Sequence, residues 1–365
     1  MKRLSFLLFI LVLPYFLRAQ TIKKISIDSL ENITPLGEVT DTVQTENFFG
    51  SDIPLEMTLK YDISAFVKNK QKGEYLDAEL MVNYKDKPVT KNIRIKARGN
   101  FRRGQCAFPP LFLNFKTDTI ENTELQGMKK IKIVTHCSSS KNSENYIFKE
   151  YLAYKLYNIL TDKSFRVRLL DLSYIDTGKK QKNYRQHGFI IEPIELVVKR
   201  TESVEIDPKV VRGPNIVEED ADRVAFFHYM IANTDWRFKG GHNMKYMKTL
   251  KDVTDKVIAV PYDFDFSGFV GTNYSFPQEW ATTCENITDR EYLGYCRSND
   301  ENYLKTIALY NDKKEEILNT IADFEYITEK EKEYLLDFIN EFYSEINQTK
   351  RFIDTLKNQC RNDDF

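Results

Sequence analysis

The strongest constraint on the fold is a change of hydrophobic period near Glu192-Pro193. Before it, apolar residues recur at alternate positions, the period of a strand with one buried face; well after it they recur at helical spacing. PLEMTLKYDI and DAELMVNYKD alternate on either side of a polar turn at Lys70 to Gly73. In IRIKARGN, Ile93, Ile95 and Ala97 take one face and Arg94, Lys96 and Arg98 the other. Gly99 breaks that strand and LFLNFK resumes it, which predicts an antiparallel pair around the turn Arg98 to Gly104. KKIKIV, FRVRLLDLSYID and HGFIIEPIEL read as further strands; GFIIE is apolar throughout, as a central strand is, and Pro193 ends it. One helix, YIFKEYLAYKLYNIL, interrupts the series, with Phe148, Leu152 and Ile159 on one seam and Ile147, Tyr151 and Tyr154 on its neighbour.

Gly213-Pro214 marks the passage to helices. EEDADRVAFFHYMIAN is helical in pattern, and His228 reads as a packed helix residue because no second His stands at i±4. In the tail, Thr328 and Glu331 form a capping box ahead of a seam of Leu335, Ile339, Phe342 and Ile346. Together these patterns predict an α+β fold, with a sheet-rich part over residues 51–195, a helical part over 196–365, and a cleft where they meet.

Hydrophobic residues make up 42% of the 365, and aromatic residues 13%, which excludes a disordered chain. A net charge of −1 carries no basic surplus for nucleic acid and no polybasic arm for a membrane surface. The first 19 residues have the pattern of a secretory signal: Lys2 and Arg3, the apolar run SFLLFILVLPYFL, then Ala19 before the cut. The expectation is an exported protein, periplasmic or extracellular, without stable membrane insertion after cleavage, and with residues 20–50 as an N-terminal extension. Disulfides are permitted there. Cys106 with Cys137 and Cys284 with Cys296 are the candidate pairs, leaving Cys360 over; the chain has no CxxC spacing for a zinc site.

The chemistry concentrates in Ile231 to Gly268, IANTDWRFKGGHNMKYMKTLKDVTDKVIAVPYDFDFSG. A helix ends near Asp235, a glycine turn follows, and a short hairpin leads from Asn243 to Asp263-Phe264-Asp265. A carboxylate on the first loop suits a base that orients an attacking hydroxyl and takes its proton. An amide oxygen and further carboxylates brought back beside it suit Mg²⁺ on a nucleotide. The turn Arg98 to Gly104 gathers three arginines, which pair with phosphate oxygens through a planar fork. A strand lysine and a helix glutamate, Lys132 and Glu150, are a candidate ion pair for steering an ammonium toward phosphates. Walker A, nucleophile-elbow and H-E-x-x-H motifs do not occur.

DWRFKGGHN followed by VPYDFD resembles the CotH kinase family, the spore-coat protein H type, and RGNFRR, KEYLAYKLY and GFIIE follow that family's segments in order. FPPLFLNF and KIVTHC look like a secreted bacterial branch. The resemblance covers roughly Ile53 to Phe269. It implies a divergent protein-kinase-like two-lobed fold, with an antiparallel sheet-rich N-lobe and a helical C-lobe, that transfers the ATP γ-phosphoryl group to protein Ser or Thr with Mg²⁺ or Mn²⁺. It assigns Asp235 as catalytic base, and Asn243, Asp263 and Asp265 as metal ligands. Lys132 and Glu150 become the phosphate-steering pair, Arg98 part of the phosphate cover, and Glu192 a residue near the link between lobes. No HRD precedes Asp235, and Phe108-Pro109-Pro110 stands where the family often has a lysine-rich strand, which keeps Lys96 and Lys116 as candidates for the nucleotide lysine. Two other classes compete: a kinase-shaped, non-catalytic envelope binding or structural protein, and a metal-dependent phosphoesterase.

Overall fold

The structure is a computed structural model that describes residues 48–84, 87–115, 125–138, 140–180 and 182–362. All of these lie in one compact unit, Asp41–Phe365. The signal segment, nearly all of the N-terminal extension, and Lys116 fall outside the described residues.

The described chain opens with strand β1 (Leu55–Tyr61) and a short helix α1 (Ile63–Asn69) capped by the Asp62 side chain, which the sequence did not announce, followed by the expected turn at Lys70 to Gly73. Then come β2 (Leu76–Tyr84), β3 (Lys87–Ala97), the one-turn helix α2 (Phe101–Gln105), β4 (Leu111–Asn114), β5 (Lys130–Thr135), the long helix α3 (Lys141–Leu160), β6 (Val167–Asp176) and β7 (Tyr184–Ile191). The strands close into a barrel in the order β1-β2-β3-β4-β5-β7-β6. This overturns the expected antiparallel N-lobe of a two-lobed kinase-like fold. β1 and β6 pair in parallel, Leu55 with Leu170 through Tyr61 with Asp176, so the two strands that would be edges of an open sheet satisfy one another.

Alternation builds the barrel's interior: Leu55, Met57, Leu59, Leu80, Val82, Ile93, Ile95, Leu113, Ile131, Ile133, Leu170 and Leu172 form one buried cluster. The opposite faces of β6 and β7, through Val167, Leu169, Phe189 and Ile191, join a second cluster with α3 and the helical part. That double burial explains why GFIIE has no polar face. Gly188 is required there, because a Cβ would stand 2.7 Å from the Val134 carbonyl oxygen.

After β7 come α4 (Ile194–Arg200), β8 (Ser203–Ile206), α5 (Glu218–Met230), and the hairpin β9 (Met244–Thr249) and β10 (Ile258–Pro261), which forms a three-stranded sheet β10-β9-β8. Four helices complete the chain: α6 (Glu301–Asp312), α7 (Lys314–Ala322), α8 (Glu329–Ile346) and α9 (Thr349–Gln359). The Thr328 hydroxyl caps α8 by accepting from the Glu331 amide at 3.3 Å. Among the described residues no helix is long and apolar enough to cross a membrane.

Cys106 and Cys137 form a disulfide that ties the end of α2 to the segment before α3. The expected Cys284–Cys296 bond is replaced by Cys296–Cys360. The Tyr295–Arg361 bridge lays the chain's tail alongside Cys296, with the Cys296 amide donating to the Arg361 carbonyl at 3.0 Å. Cys284 keeps a free thiol within the turn that Asp289 and Glu291 close.

The barrel end near that first disulfide holds His136, fully buried, stacked on Phe108 at 4.7 Å, with neither ring nitrogen partnered among the described residues. Burial lowers its pKa from 6.5 to about 4. The unfolded imidazole therefore takes a proton that the folded one refuses. Its contribution is whole above pH 6.5 and is lost as pH falls toward 4, roughly 3 kcal/mol across that window. His136→Phe is expected to keep its melting temperature at pH 7 and to lose less on acidification to pH 5 than the parent. Thermal melts of both proteins at the two pH values check this, and equal acid losses would contradict it.

Candidate functional site

Helix α5 is buried on nearly every face and hands the chain to an irregular loop at Ile231. The loop is held by aromatic packing: Trp236 stacks on His228 at 4.6 Å and donates to the Asn233 carbonyl at 3.1 Å. The Asn233 side chain accepts from the Asp235 amide at 2.9 Å, an Asx turn that lifts the Asp235 carboxylate off the helix end. Trp280 braces the same loop through the Thr234 carbonyl at 2.7 Å.

The β9–β10 hairpin then returns the chain. The Tyr262 amide donates to the Asn243 carbonyl at 3.1 Å, so Asp263 follows directly on the residue that pairs with Asn243. Asn243 donates its side-chain amide to Asp235, at 2.7 Å to the carbonyl and 2.9 Å to Oδ2, and its own Oδ1 accepts no hydrogen bond among the described residues. His242 Nε2 stands 2.7 Å from Asp235 Oδ1. Asp263 is anchored by its backbone amide to the Tyr154 hydroxyl of α3 at 2.8 Å, while its carboxylate makes no hydrogen bond or ion pair among the described residues. Asn243 and Asp263 both have positive φ, +53° and +68°, as does Ala232 at +49°. Three of the four described non-glycine residues with that backbone lie in this one stretch, the kind of clustering found where a site is held in a set shape.

Behind this face is a buried ionic cluster. Arg102 is only 7% exposed. It donates to Glu150 Oε2 at 3.3 Å and to the Thr135 carbonyl at 2.6 Å, and stands 3.9 Å from Asp265 Oδ2. Tyr274 donates to Asp265 Oδ2 at 2.8 Å. Burial opposes the charge on Arg102, but Tyr274, Glu150 and Asp265 more than offset it and hold its pKa up. One guanidinium serves two buried carboxylates. Burial and the charge of Asp263 push Asp265 up to about 7. Burial and Asp265 push Glu150 well above the usual carboxylate range, and its Oε1 has no partner among the described residues.

The sequence expectations therefore divide. Asp235, Asn243 and Asp263 come together. Glu150 pairs with Arg102 and not with Lys132. Asp265 lies in the buried cluster, where Tyr274 donates to it and Arg102 stands 3.9 Å away. Lys132, on β5, lies over the Tyr262 ring at 5.8 Å, and burial together with the nearby Arg98 and Lys245 charges lowers its pKa to about 8. Lys132 and Arg98 make no ion pair among the described residues; Arg98 lies near Lys132, whose charge Glu195 and Asp263 favour from a distance. Lys96 stacks its ammonium over Tyr75 and Phe112. Glu192 is buried, with its carboxylate occupied by Arg166 and Arg200, each at 2.9 Å; it fastens the end of β7 to α4.

The sequence groups Arg102 with the other arginines of its turn as a phosphate contact, whereas the structure buries it against Glu150. Of this one-turn helix only Arg102 is buried, while Phe101 is exposed and Arg103 half-buried, a difference the run of basic residues does not announce. Among the described residues no three His, Cys, Asp or Glu side chains gather closely enough to cage a metal ion. The donors present, the Asn243 amide oxygen and the Asp263 carboxylate, fit a hard cation that completes its shell with water and phosphate oxygens, and not a closed protein cage.

No family model matches the chain, and no curated protein does. The spore-coat protein H resemblance thus has no counterpart among family models. Among solved structures the chain is similar to the crystal structure of a Helicobacter pylori proinflammatory kinase, CtkA. The likeness spans 72% of this chain and 94% of that one at 12% identity, with a TM-score of 0.39. At that distance the likeness assigns no role to any residue of the site.

Proposed function

We propose that this protein transfers a phosphoryl group from a metal-bound nucleoside triphosphate, ATP, to a hydroxyl of a protein substrate, as the spore-coat protein H type of kinase does. The observation that carries the proposal is the meeting of Asp235, Asn243 and Asp263 on two adjoining loops, with Lys132 near Asp263 and Arg98 near Lys132, neither cation in an ion pair among the described residues. Unpaired cations near one another repel, and a bound polyanion relieves that repulsion.

In this reading Asp235 is the base. His242 and Asn243 hold its two oxygens in a set orientation, and each oxygen keeps a lone pair for the incoming hydroxyl. Asn243 Oδ1 and the Asp263 carboxylate would hold a divalent ion, which when bound would offset the charge of the phosphates. Lys132 and Arg98 draw in the remaining phosphate oxygens. The Arg102–Glu150–Asp265 cluster fixes α2, α3 and the loop after Asp263 relative to one another.

Calorimetry with a non-hydrolysable ATP analogue, with and without Mg²⁺ or Mn²⁺, and label transfer from γ-labelled ATP to casein-like or envelope proteins test the proposal. Metal-dependent binding and transfer above an Asp235→Ala, Asp263→Ala control are expected. No metal-dependent binding and no transfer would overturn it, and release of free phosphate without protein labelling would replace it with hydrolysis.

A further inference from the structure

Beneath the candidate base lies a histidine whose polar atoms packing does not explain. His228, near the end of α5, is buried and stacks its ring on Trp236 at 4.6 Å and 13°. Its Nε2 has no hydrogen-bond partner among the described residues. Burial pushes its pKa well below 6.5, so the ring is neutral and carries one N–H. A phenylalanine would fill the same space and stack on the same indole without leaving a buried nitrogen unmet.

The reason lies at Nδ1, which stands 3.1 Å from Asn233 Nδ2. The polarity of this contact follows from the main chain. The Asp235 amide is a donor, so the Asn233 atom 2.9 Å from it is the side-chain oxygen. The other end of that amide is then NH₂, which only donates, and the nitrogen facing it must offer a lone pair. His228 therefore has its proton on Nε2 and its bare nitrogen toward Asn233. The opposite tautomer would set N–H against NH₂, and turning the Asn233 amide over would bring NH₂ against the Asp235 N–H. The main chain of Asn233 is already held: its amide donates to the His228 carbonyl at 2.8 Å, and its carbonyl accepts from Trp236 at 3.1 Å. What remains to be set is the direction of the side-chain amide.

We propose that His228 is a positioning residue: its bare Nδ1 sets the direction of the Asn233 amide, the amide holds the turn at Asp235, and the turn aims the carboxylate that takes the substrate's proton. The proposal rests on the reading of Asp235 as a phosphoryl-transfer base, but the direction of the Asn233 amide does not depend on turnover.

The test uses the whole protein with nitrogen-15-labelled histidine, of which the chain has four. The His228 signals at pH 7 are expected to show a bare Nδ1 and a protonated Nε2; the reverse would overturn the proposal. Two substitutions then separate positioning from packing. His228→Phe keeps a ring on Trp236 and loses the acceptor, whereas His228→Asn loses the ring and keeps an oxygen where Nδ1 stood. The phenylalanine variant is expected to melt no lower than the parent, yet to exchange its Asp235 amide hydrogen about fivefold to tenfold faster. Its label transfer should fall about 10- to 100-fold, with the nucleotide KM within about twofold of the parent. The asparagine variant should melt lower but transfer faster than the phenylalanine variant and protect the Asp235 amide better. Parent-like amide exchange in His228→Phe, or slower transfer in His228→Asn than in His228→Phe, would overturn the proposal and leave His228 to packing. If the parent itself transfers no label, the reading of Asp235 fails, while the tautomer and the amide exchange still decide whether His228 sets the turn.

Discussion

Arg102→Met should lower folding stability by about 3–5 kcal/mol at pH 8, because it strips the counter-charge from two buried carboxylates at once. Arg102 donates to Glu150 Oε2 and the Thr135 carbonyl and stands 3.9 Å from Asp265 Oδ2, so its loss leaves two acceptors short of a donor and Asp265, still bonded by Tyr274, without its counter-charge. Methionine fills most of the same volume, which limits the cavity contribution and isolates the charge. The pH dependence identifies the cause. Asp265 and Glu150 have folded pKa values above their unfolded ones. Their folded state therefore binds more protons than the unfolded chain between the two, and stability from these groups declines as pH rises through about 7. Without Arg102 both values rise further, so the deficit grows from pH 5, where Asp265 keeps its proton in both proteins, to pH 8, where the parent has released that proton and the variant still holds it. Denaturant midpoints of the parent and variant across that range measure the deficit. Adding Glu150→Gln and Asp265→Asn should recover a large part of it. A deficit independent of pH, with no recovery in the triple variant, would mean that Arg102 acts through packing alone.

That cluster also shows what the residues announce and what they conceal. Strand periodicity is local, so the alternation in LEMTLKY, NIRIKA and KIKIVT was legible, and so was the burial of GFIIE. Closure of the barrel was not, because it depends on a parallel pairing of Leu55–Tyr61 with a strand over 100 residues later that no local pattern encodes. Asp235, Asn243 and Asp263 were legible as a group because one hairpin joins them and its register is short. The partner of Glu150 was not. Lys132 and Arg102 are both basic residues on the barrel side of α3, and only the inward turn of α2, fastened by Cys106–Cys137, decides between them. Cys296 with Cys360 escaped for the same reason: proximity in sequence favoured Cys284, whereas the docking of the tail on Tyr295 decides the pairing.

Asp235→Asn and Asp263→Asn should separate the two roles that the site assigns to its acids. In the first, the new amide's oxygen still accepts from Asn243 and its NH₂ faces His242, whose other tautomer accepts, so the loop keeps its geometry. What disappears is the basicity toward the substrate hydroxyl. Label transfer is expected to fall about 100- to 10,000-fold while metal-dependent nucleotide affinity stays within about twofold of the parent. In the second, asparagine tolerates the +68° backbone and still donates its amide to Tyr154, but the charge facing Lys132 and Arg98 is gone. Affinity for the metal–nucleotide pair is expected to fall at least about tenfold. Asp263 also helps hold the Asp265 and Glu150 values up, so removing its charge lets Asp265 ionise at lower pH. That shift is visible in the pH dependence of stability without any nucleotide, and it places Asp263 beside the buried cluster independently of turnover. Full transfer by Asp235→Asn would remove Asp235 as the base; unchanged nucleotide affinity in Asp263→Asn, with the stability shift present, would leave Asp263 in place but take the metal from it.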